Sequence, residues 1–189
     1  MSSLDPKLFV ISGPSGAGKG TLVARVRERL PELGLTVSAT TRKPRVGEVD
    51  GVNYYFISEE EFSAKVERGE FVEWAQVHDH RYGTLVSEVK SKLADGHSLI
   101  LEIDVQGALM VKKRFPDAVL VFIEPPSLAV LEQRLVGRGT ESEESIALRL
   151  ANARHELELA DSYDVRLVND DLDVATDELA SILSTYERN

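Results

Sequence analysis

The sequence predicts an α/β fold, a parallel sheet covered by helices on both faces and carrying one small mixed insert. Three observations predict it. Short apolar runs alternate with helical patterns, and most of those runs are continuously apolar, as strands buried on both faces are. The first run, Leu8 to Ile11, enters Gly13-Pro14-Ser15-Gly16-Ala17-Gly18-Lys19-Gly20, a phosphate loop set between a strand and a helix. The stretch Tyr54 to Val77 contains strands that alternate instead, which marks a partly exposed antiparallel insert.

The elements follow in order. After the loop, a helical pattern runs from Thr21 to Leu30 and stops near Pro31. Leu35 to Ala39 is a second strand, and Thr41 to Asn53 is a polar, Gly/Pro-punctuated loop. Tyr54 to Ile57 is a strand; Ser58 and Glu61 then make a capping box for a helix that ends near Gly69. Phe71 to Val77 is a strand, Arg81 to Thr84 a turn, and Val86 to Ala94 a helix. Ser98 to Asp104 is a buried strand with an acidic end, followed by a helix from Ala108 to Phe115 and a strand from Ala118 to Ile123. Ser127 caps the next helix. Beyond it, Ile146, Leu150, Ala153, Leu157 and Ala160 form one helical stripe. Val165 to Val168 is the last strand. On a final helix Leu172, Ala175, Leu179, Ile182 and Tyr186 face one way.

The composition narrows the function. The 189 residues suit a single compact domain, 42% hydrophobic and 29% charged, with no cysteine. Disulfides and thiolate chemistry are excluded. No apolar run approaches the roughly 18–20 residues that span a bilayer, and Met1 to Lys7 lack the basic start of a secretory signal. The expected location is the cytoplasm. A net charge of −10 repels nucleic acid and anionic membranes, so bound anions must be drawn by local clusters of Arg and Lys.

One such cluster is the loop itself. Its glycines let backbone N–H groups turn around a polyphosphate, the following helix adds its N-terminal dipole, and Lys19 adds a point charge for the β- and γ-phosphates. The position after Lys19 usually holds a Mg²⁺-ligating Ser or Thr. Here it is Gly20, followed by Thr21.

The second cluster is Ser38-Ala39-Thr40-Thr41-Arg42-Lys43-Pro44-Arg45-Val46-Gly47-Glu48, which continues to Tyr54. Arg42 and Arg45 are suited to forked bonds with a phosphate monoester. Ser38 and Tyr54 offer hydroxyls. A solvated basic loop is the competing reading.

This second segment, found soon after a phosphate loop, resembles the guanylate kinase family. The resemblance continues through Phe71-Val72-Glu73-Trp74-Ala75, Tyr82-Gly83-Thr84, Leu101-Glu102-Ile103-Asp104-Val105-Gln106-Gly107, Arg138-Gly139-Thr140-Glu141-Ser142 and Val168-Asn169-Asp170. It implies an ATP:GMP phosphotransferase with a P-loop core (1–37, 85–127 and 157–189), a GMP-binding region (38–84) and a helical lid (128–156). It further implies that residues Gly13 to Thr21 bind ATP, with Asn169 near the adenine. Ser38, Arg42, Arg45, Tyr54 and Tyr82 would hold the GMP phosphate, and Glu73, Gly83, Thr84 and Asp104 would lie at or near the guanine. A carboxylate such as Glu73 accepts from guanine N1–H and N2–H₂, whereas adenine presents an acceptor at N1. The Thr84 hydroxyl is expected to reach guanine O6 or N7. The substrates implied are ATP, GMP and dGMP, with Mg²⁺ held through phosphates and water, and Thr21 or Asp104 in its surroundings. No nucleic-acid, membrane or obligate protein partner is implied.

Glu102 and Asp104 lie on the same side of a strand at its C-terminal end, where open α/β sheets bind ligands. Alternatively, one is a solvated carboxylate and the other a helix cap. Arg134 and Arg138, at i and i+4, project from one helical face, with Arg149 on the next helix. Surface pairing with Glu132, Glu141, Glu143 and Glu144 is one reading of them; the resemblance makes them the lid cations that reach the transferred phosphoryl group, alongside Lys19, Arg42 and Arg45. His78, His80, His97 and His155 show no metal-ligand spacing, and Trp74 with its aromatic neighbours is expected in the core.

Overall fold

The computed structural model describes residues 5–77, 79–137 and 142–188. Five strands form an all-parallel sheet: β1 (Leu8–Ser12), β2 (Gly34–Leu35), β7 (Leu99–Glu102), β8 (Val119–Glu124) and β9 (Val165–Val168), in the order β2-β7-β1-β8-β9. Strand alternation splits β1 between two cores. Leu8 and Val10 pack with Leu99, Leu120 and Val111 on one face; Phe9 and Ile11 pack with Leu22, Val121 and Leu179 on the other. Both faces are covered, as the unbroken apolar runs require.

Helix α1 (Lys19–Arg29) and the C-terminal helix α7 (Leu172–Tyr186) cover the second face side by side, and Arg25 and Arg29 pair with Asp173 and Asp177 between them. All five residues of the expected C-terminal stripe pack into that core. The first face is covered by α3 (Val86–Ala94) and α4 (Val105–Arg114). Helix α4 begins three residues before the expected Ala108, because Asp104 caps it by accepting from Gly107 N–H at 2.7 Å.

The run Leu35 to Ala39 is not one strand. Gly34–Leu35 adds to the parallel sheet, whereas Ser38–Thr40 becomes β3 of a second sheet, with Tyr55–Phe56 (β4), Phe71–Val77 (β5) and His80–Leu85 (β6) in the order β4-β3-β6-β5. That sheet is mixed. β3 and β4 run parallel, and the other pairs are antiparallel.

Arg81 to Thr84 is strand, not turn. The glycine there serves packing: a Cβ on Gly83 would lie 2.7 Å from Phe71 Cδ1 and 2.8 Å from Glu73 O. Helix α2 (Glu59–Glu67), capped by Ser58 Oγ accepting from Glu61 N–H, covers one face of this sheet through Phe62. Phe62 stacks on Phe71 at 4.4 Å. Trp74 departs from expectation, being 44% exposed, because strand alternation turns it to the rim, where it meets Phe62 edge-on.

Helices α5 (Leu128–Val136) and α6 (Glu143–Glu158) form a separate small cluster. Ile146, Leu150 and Ala153 of the expected stripe pack on Leu131 and Leu135 there; Leu157 and Ala160 continue onto the main core. Ser127 caps α5 as expected. Among the described residues no helix is long and apolar enough to cross a membrane.

Candidate active site

The phosphate loop joins β1 to α1 at the carboxyl end of the parallel strands. Gly13, Gly16 and Gly18 all have positive φ, at 139°, 94° and 92°. A side chain on Gly13 would overlap the Ile123 carbonyl of β8, so only glycine allows this approach. Lys19 Nζ donates to Gly13 O at 2.6 Å and Pro14 O at 3.0 Å, holding its charge at the mouth of the loop. Burial lowers its pKa; the carboxylates of Glu102, Glu156 and Asp104 oppose that shift.

Glu102 stands opposite Gly20. A Cβ on Gly20 would lie 3.6 Å from Glu102 Oε1, and the carboxylate shares a cleft of about 260 Å³ with Ser15, Lys19 and Thr21. The space left by the missing hydroxyl is therefore faced by an acid. A neighbouring cleft of about 320 Å³ is lined by Gly13, Ser15, Lys19, Glu102, Asp104 and Glu156.

One oxygen of Asp104 caps α4, which meets the helix-cap reading. Asp104 also lines a cleft with Lys19, and its charge raises the pKa of Lys19 and of Glu73.

A row of polar side chains crosses three strands of the mixed sheet. Ser38 of β3 is register-paired with Thr84 of β6, and Thr84 with Glu73 of β5. Tyr82 is paired with Thr40 one step along and shares the face of Thr84. Burial raises the Glu73 pKa, with hydrogen bonds from Thr84 acting against it. The Thr84 hydroxyl donates to Glu73 Oε1 at 2.9 Å. In this arrangement its single proton goes to the carboxylate. Gly83 faces away from this row, toward Phe71 and Trp74.

Arg42 is held on three sides. Its Nη2 donates to Glu48 Oε1 at 2.8 Å, and its guanidinium lies 5.4 Å from the Tyr54 ring and 5.7 Å from that of Phe56. The other Glu48 oxygen accepts from Arg45 N–H at 2.7 Å. Hydrogen bonding to Arg42 lowers the Glu48 pKa and raises that of Arg42. Tyr54 packs edge-on against Tyr82 at 5.9 Å, which joins the loop to the row.

Of the arginines on the helical pair, Arg149 Nη1 donates to Ser15 Oγ at 3.1 Å and Arg134 Nη2 to Asn169 O at 2.9 Å. Both therefore reach the phosphate loop or its immediate support. Arg138 lies outside the described residues. Asn169 donates its side-chain amide to Ala17 O at 2.8 Å.

Sequence reasoning missed Glu156. It sits seven residues after Arg149 on α6, two helical turns along the same face, and lines the cleft with Lys19. Burial raises its pKa and Lys19 opposes the shift. The polar positions Arg149, Asn152 and Glu156 complement the apolar stripe and were the available signal. His97 and His155 are exposed, His155 lining a cleft with Asp104 and Glu156; His78 lies outside the described residues, and no cluster able to hold a metal occurs among the described residues. A separate cleft of about 480 Å³ lies against the starts of β1 and β8 and contains none of these residues.

Comparison with known proteins gives a consistent result. A sequence profile described as guanylate kinase matches residues 5–186. A guanylate kinase of Caldanaerobacter subterraneus subsp. tengcongensis is 51% identical over 93% of this chain and 85% of its own. One from Thermosynechococcus vestitus is 52% identical over 92% of each. The crystal structure of guanylate kinase from Anaplasma phagocytophilum superimposes with a TM-score of 0.73 at 30% identity, covering all of this chain and 90% of that one.

Proposed function

This chain belongs to the guanylate kinase family, and from that premise we propose how its residues carry the transfer of the γ-phosphoryl group of ATP to GMP, giving ADP and GDP. The observation that supports the residue assignment best is the Ser38–Thr84–Glu73 row, connected through Asp104 to Lys19.

The donor polyphosphate lies in the Gly13–Thr21 loop, with its β- and γ-phosphates on Lys19. Moving Lys19 Nζ from the Gly13 and Pro14 carbonyls to phosphate oxygens exchanges neutral acceptors for charged ones. Asn169 borders this site. The acceptor phosphate is held by Arg42 and Arg45, with hydroxyls from Ser38, Tyr54 and Tyr82. Guanine meets ionised Glu73, and AMP would set its N1 lone pair against that carboxylate. Thr84 holds Glu73 in position, and Asp104 closes the same side.

Arg134, Arg138 and Arg149 place positive charge over the transferred group and exclude water. No general base is required, because the GMP phosphate oxygen is already a nucleophile. In-line transfer then depends on positioning and charge neutralisation.

Mg²⁺ fits beside Gly20. Glu102 offers a hard carboxylate there and Thr21 a hydroxyl, with the remaining ligands coming from phosphate and water. When bound, the ion neutralises charge on the β- and γ-phosphates.

We place the GMP-binding region at 38–84 and the lid at 128–156, although α6 continues to Glu158 without a break. We also propose dGMP as a substrate, a cytoplasmic setting, and no nucleic-acid, membrane or obligate protein partner; the charge of −10 supports the first two of those exclusions. The test is ADP release measured with GMP, dGMP, AMP, CMP and UMP. A preference for AMP or a pyrimidine would defeat the Glu73 assignment.

A further inference from the structure

We propose that Asn169 is a positioning residue for the phosphate loop, aiming the Gly18 N–H at the donor phosphates. The inference rests on the donor site proposed above.

Asn169 is 4% exposed and makes three connections. Its backbone N–H donates to Glu124 O at the end of β8, 2.8 Å away, which fixes it to the sheet. Its backbone carbonyl accepts from Arg134 Nη2. Its side chain reaches across 152 residues of sequence to the Ala17 carbonyl. That carbonyl is only an acceptor, so the amide must present Nδ2 to it.

The peptide unit held in this way is the one between Ala17 and Gly18. In a trans peptide the C=O and the following N–H point in opposite directions. Fixing the Ala17 carbonyl against Asn169 therefore turns the Gly18 N–H the other way. Gly18 borders the cleft that holds Lys19, Thr21 and Glu102.

The bond matters because its neighbours are permissive. Gly16 and Gly18 flank Ala17 with φ of 94° and 92°, and glycine adopts many other conformations at little cost. One turn bond, Ala17 N–H to Pro14 O at 3.1 Å, supports the segment locally. The long-range bond from Asn169 supplies the second restraint. The fit is close enough that a side chain at position 18 would overlap Asn169 Nδ2. The bond to Ala17 uses one N–H of the amide; its second N–H and Oδ1 remain, and Asn169 also lines a cleft of about 320 Å³ with Gly16, Gly18 and Arg134.

The test compares ligands with and without a base. Asn169→Ala in the full chain is titrated calorimetrically with magnesium tripolyphosphate and with MgATP, and turnover is measured with ATP as donor. The expected result is parallel weakening of tripolyphosphate and ATP by about tenfold, with the KM for GMP within about twofold of wild type. Weakened ATP with unchanged tripolyphosphate overturns the proposal. So does unaltered affinity for both ligands, or a KM for GMP that rises along with the donors. If Asn169→Ala gives no cooperative melt, Asn169→Ser is read by the same criteria, since it keeps a small polar group at the buried position but cannot span to Ala17. Failure of the wild-type chain to bind either ligand would overturn the donor-site reading and this proposal with it.

Discussion

The proposed donor and acceptor halves of the site are built from different materials. The donor half is mostly backbone: three glycines of positive φ and a lysine resting on two carbonyls of its own loop. The acceptor half is side chains: a row across three strands and a guanidinium held by Glu48 and two aromatic rings. A backbone cradle recognises what every nucleoside triphosphate shares, its phosphates. A base can be told from another base only by donors and acceptors in a set pattern, which side chains supply. Selectivity should therefore reside in one half and charge handling in the other.

The strongest way to break this contrast is to remove the donor charge. Lys19→Ala should lower kcat/KM by at least about 10³ with every acceptor alike, while the thermal melt stays close to wild type. A loss confined to GMP would mean that the halves are not separable in this way.

Glu73→Gln tests the other side. Its Nε2 would face the guanine donors, and KM for GMP should rise by about 100-fold as charged hydrogen bonds are lost. KM for ATP should hardly move. Stability should change in the opposite direction. The folded pKa of Glu73 is raised by burial, so its contribution is fully present below the unfolded carboxylate value and is lost as pH rises through the folded value. At pH 7 the wild type has lost it, and Glu73→Gln should melt higher. Melting curves from pH 4 to 8 should show the variant's advantage growing toward neutral pH.

The same shift predicts a pH effect on binding. The proposed pairing of GMP with ionised Glu73 predicts that kcat/KM for GMP falls on acidification with a midpoint above the ordinary carboxylate value. The midpoint should vanish in Glu73→Gln.

A smaller change is expected from Glu48→Gln. It leaves Arg42 in place between its rings but weakens the bond that orients it, and KM for GMP should rise by about tenfold with donor kinetics unchanged. Equal effects on ATP would show that Arg42 belongs to both halves.

Legibility divided along the same line. The phosphate loop occupies eight consecutive residues, and its chemistry could be inferred from spacing alone. Arg42 and Arg45 were equally local. Thr84 and Glu73 were identified, but not their relation, because strand register alone decides that one hydroxyl proton goes to the neighbouring carboxylate. Gly83 suggested a turn because glycine does so in most settings; the close approach of Phe71 and Trp74 is a long-range fact. Leu35 to Ala39 was one apolar run, and only the divergence of two sheets could divide it. Asn169 was placed near the donor, yet its bond to Ala17 spans nearly the whole chain.

What the sequence alone determined is everything carried by neighbouring residues: the doubly covered parallel sheet, the helix caps, and two cation clusters in a chain of net charge −10. Tertiary structure decided how those clusters are armed. It set Glu102 opposite Gly20, put Asp104 in one cleft with Lys19 and Glu156, brought Arg149 of α6 onto Ser15, and joined the loop to Asn169. Periodicity and spacing are properties of a chain a few residues long. Hydrogen bonds and burial depend on distances that exist only once remote segments have packed together.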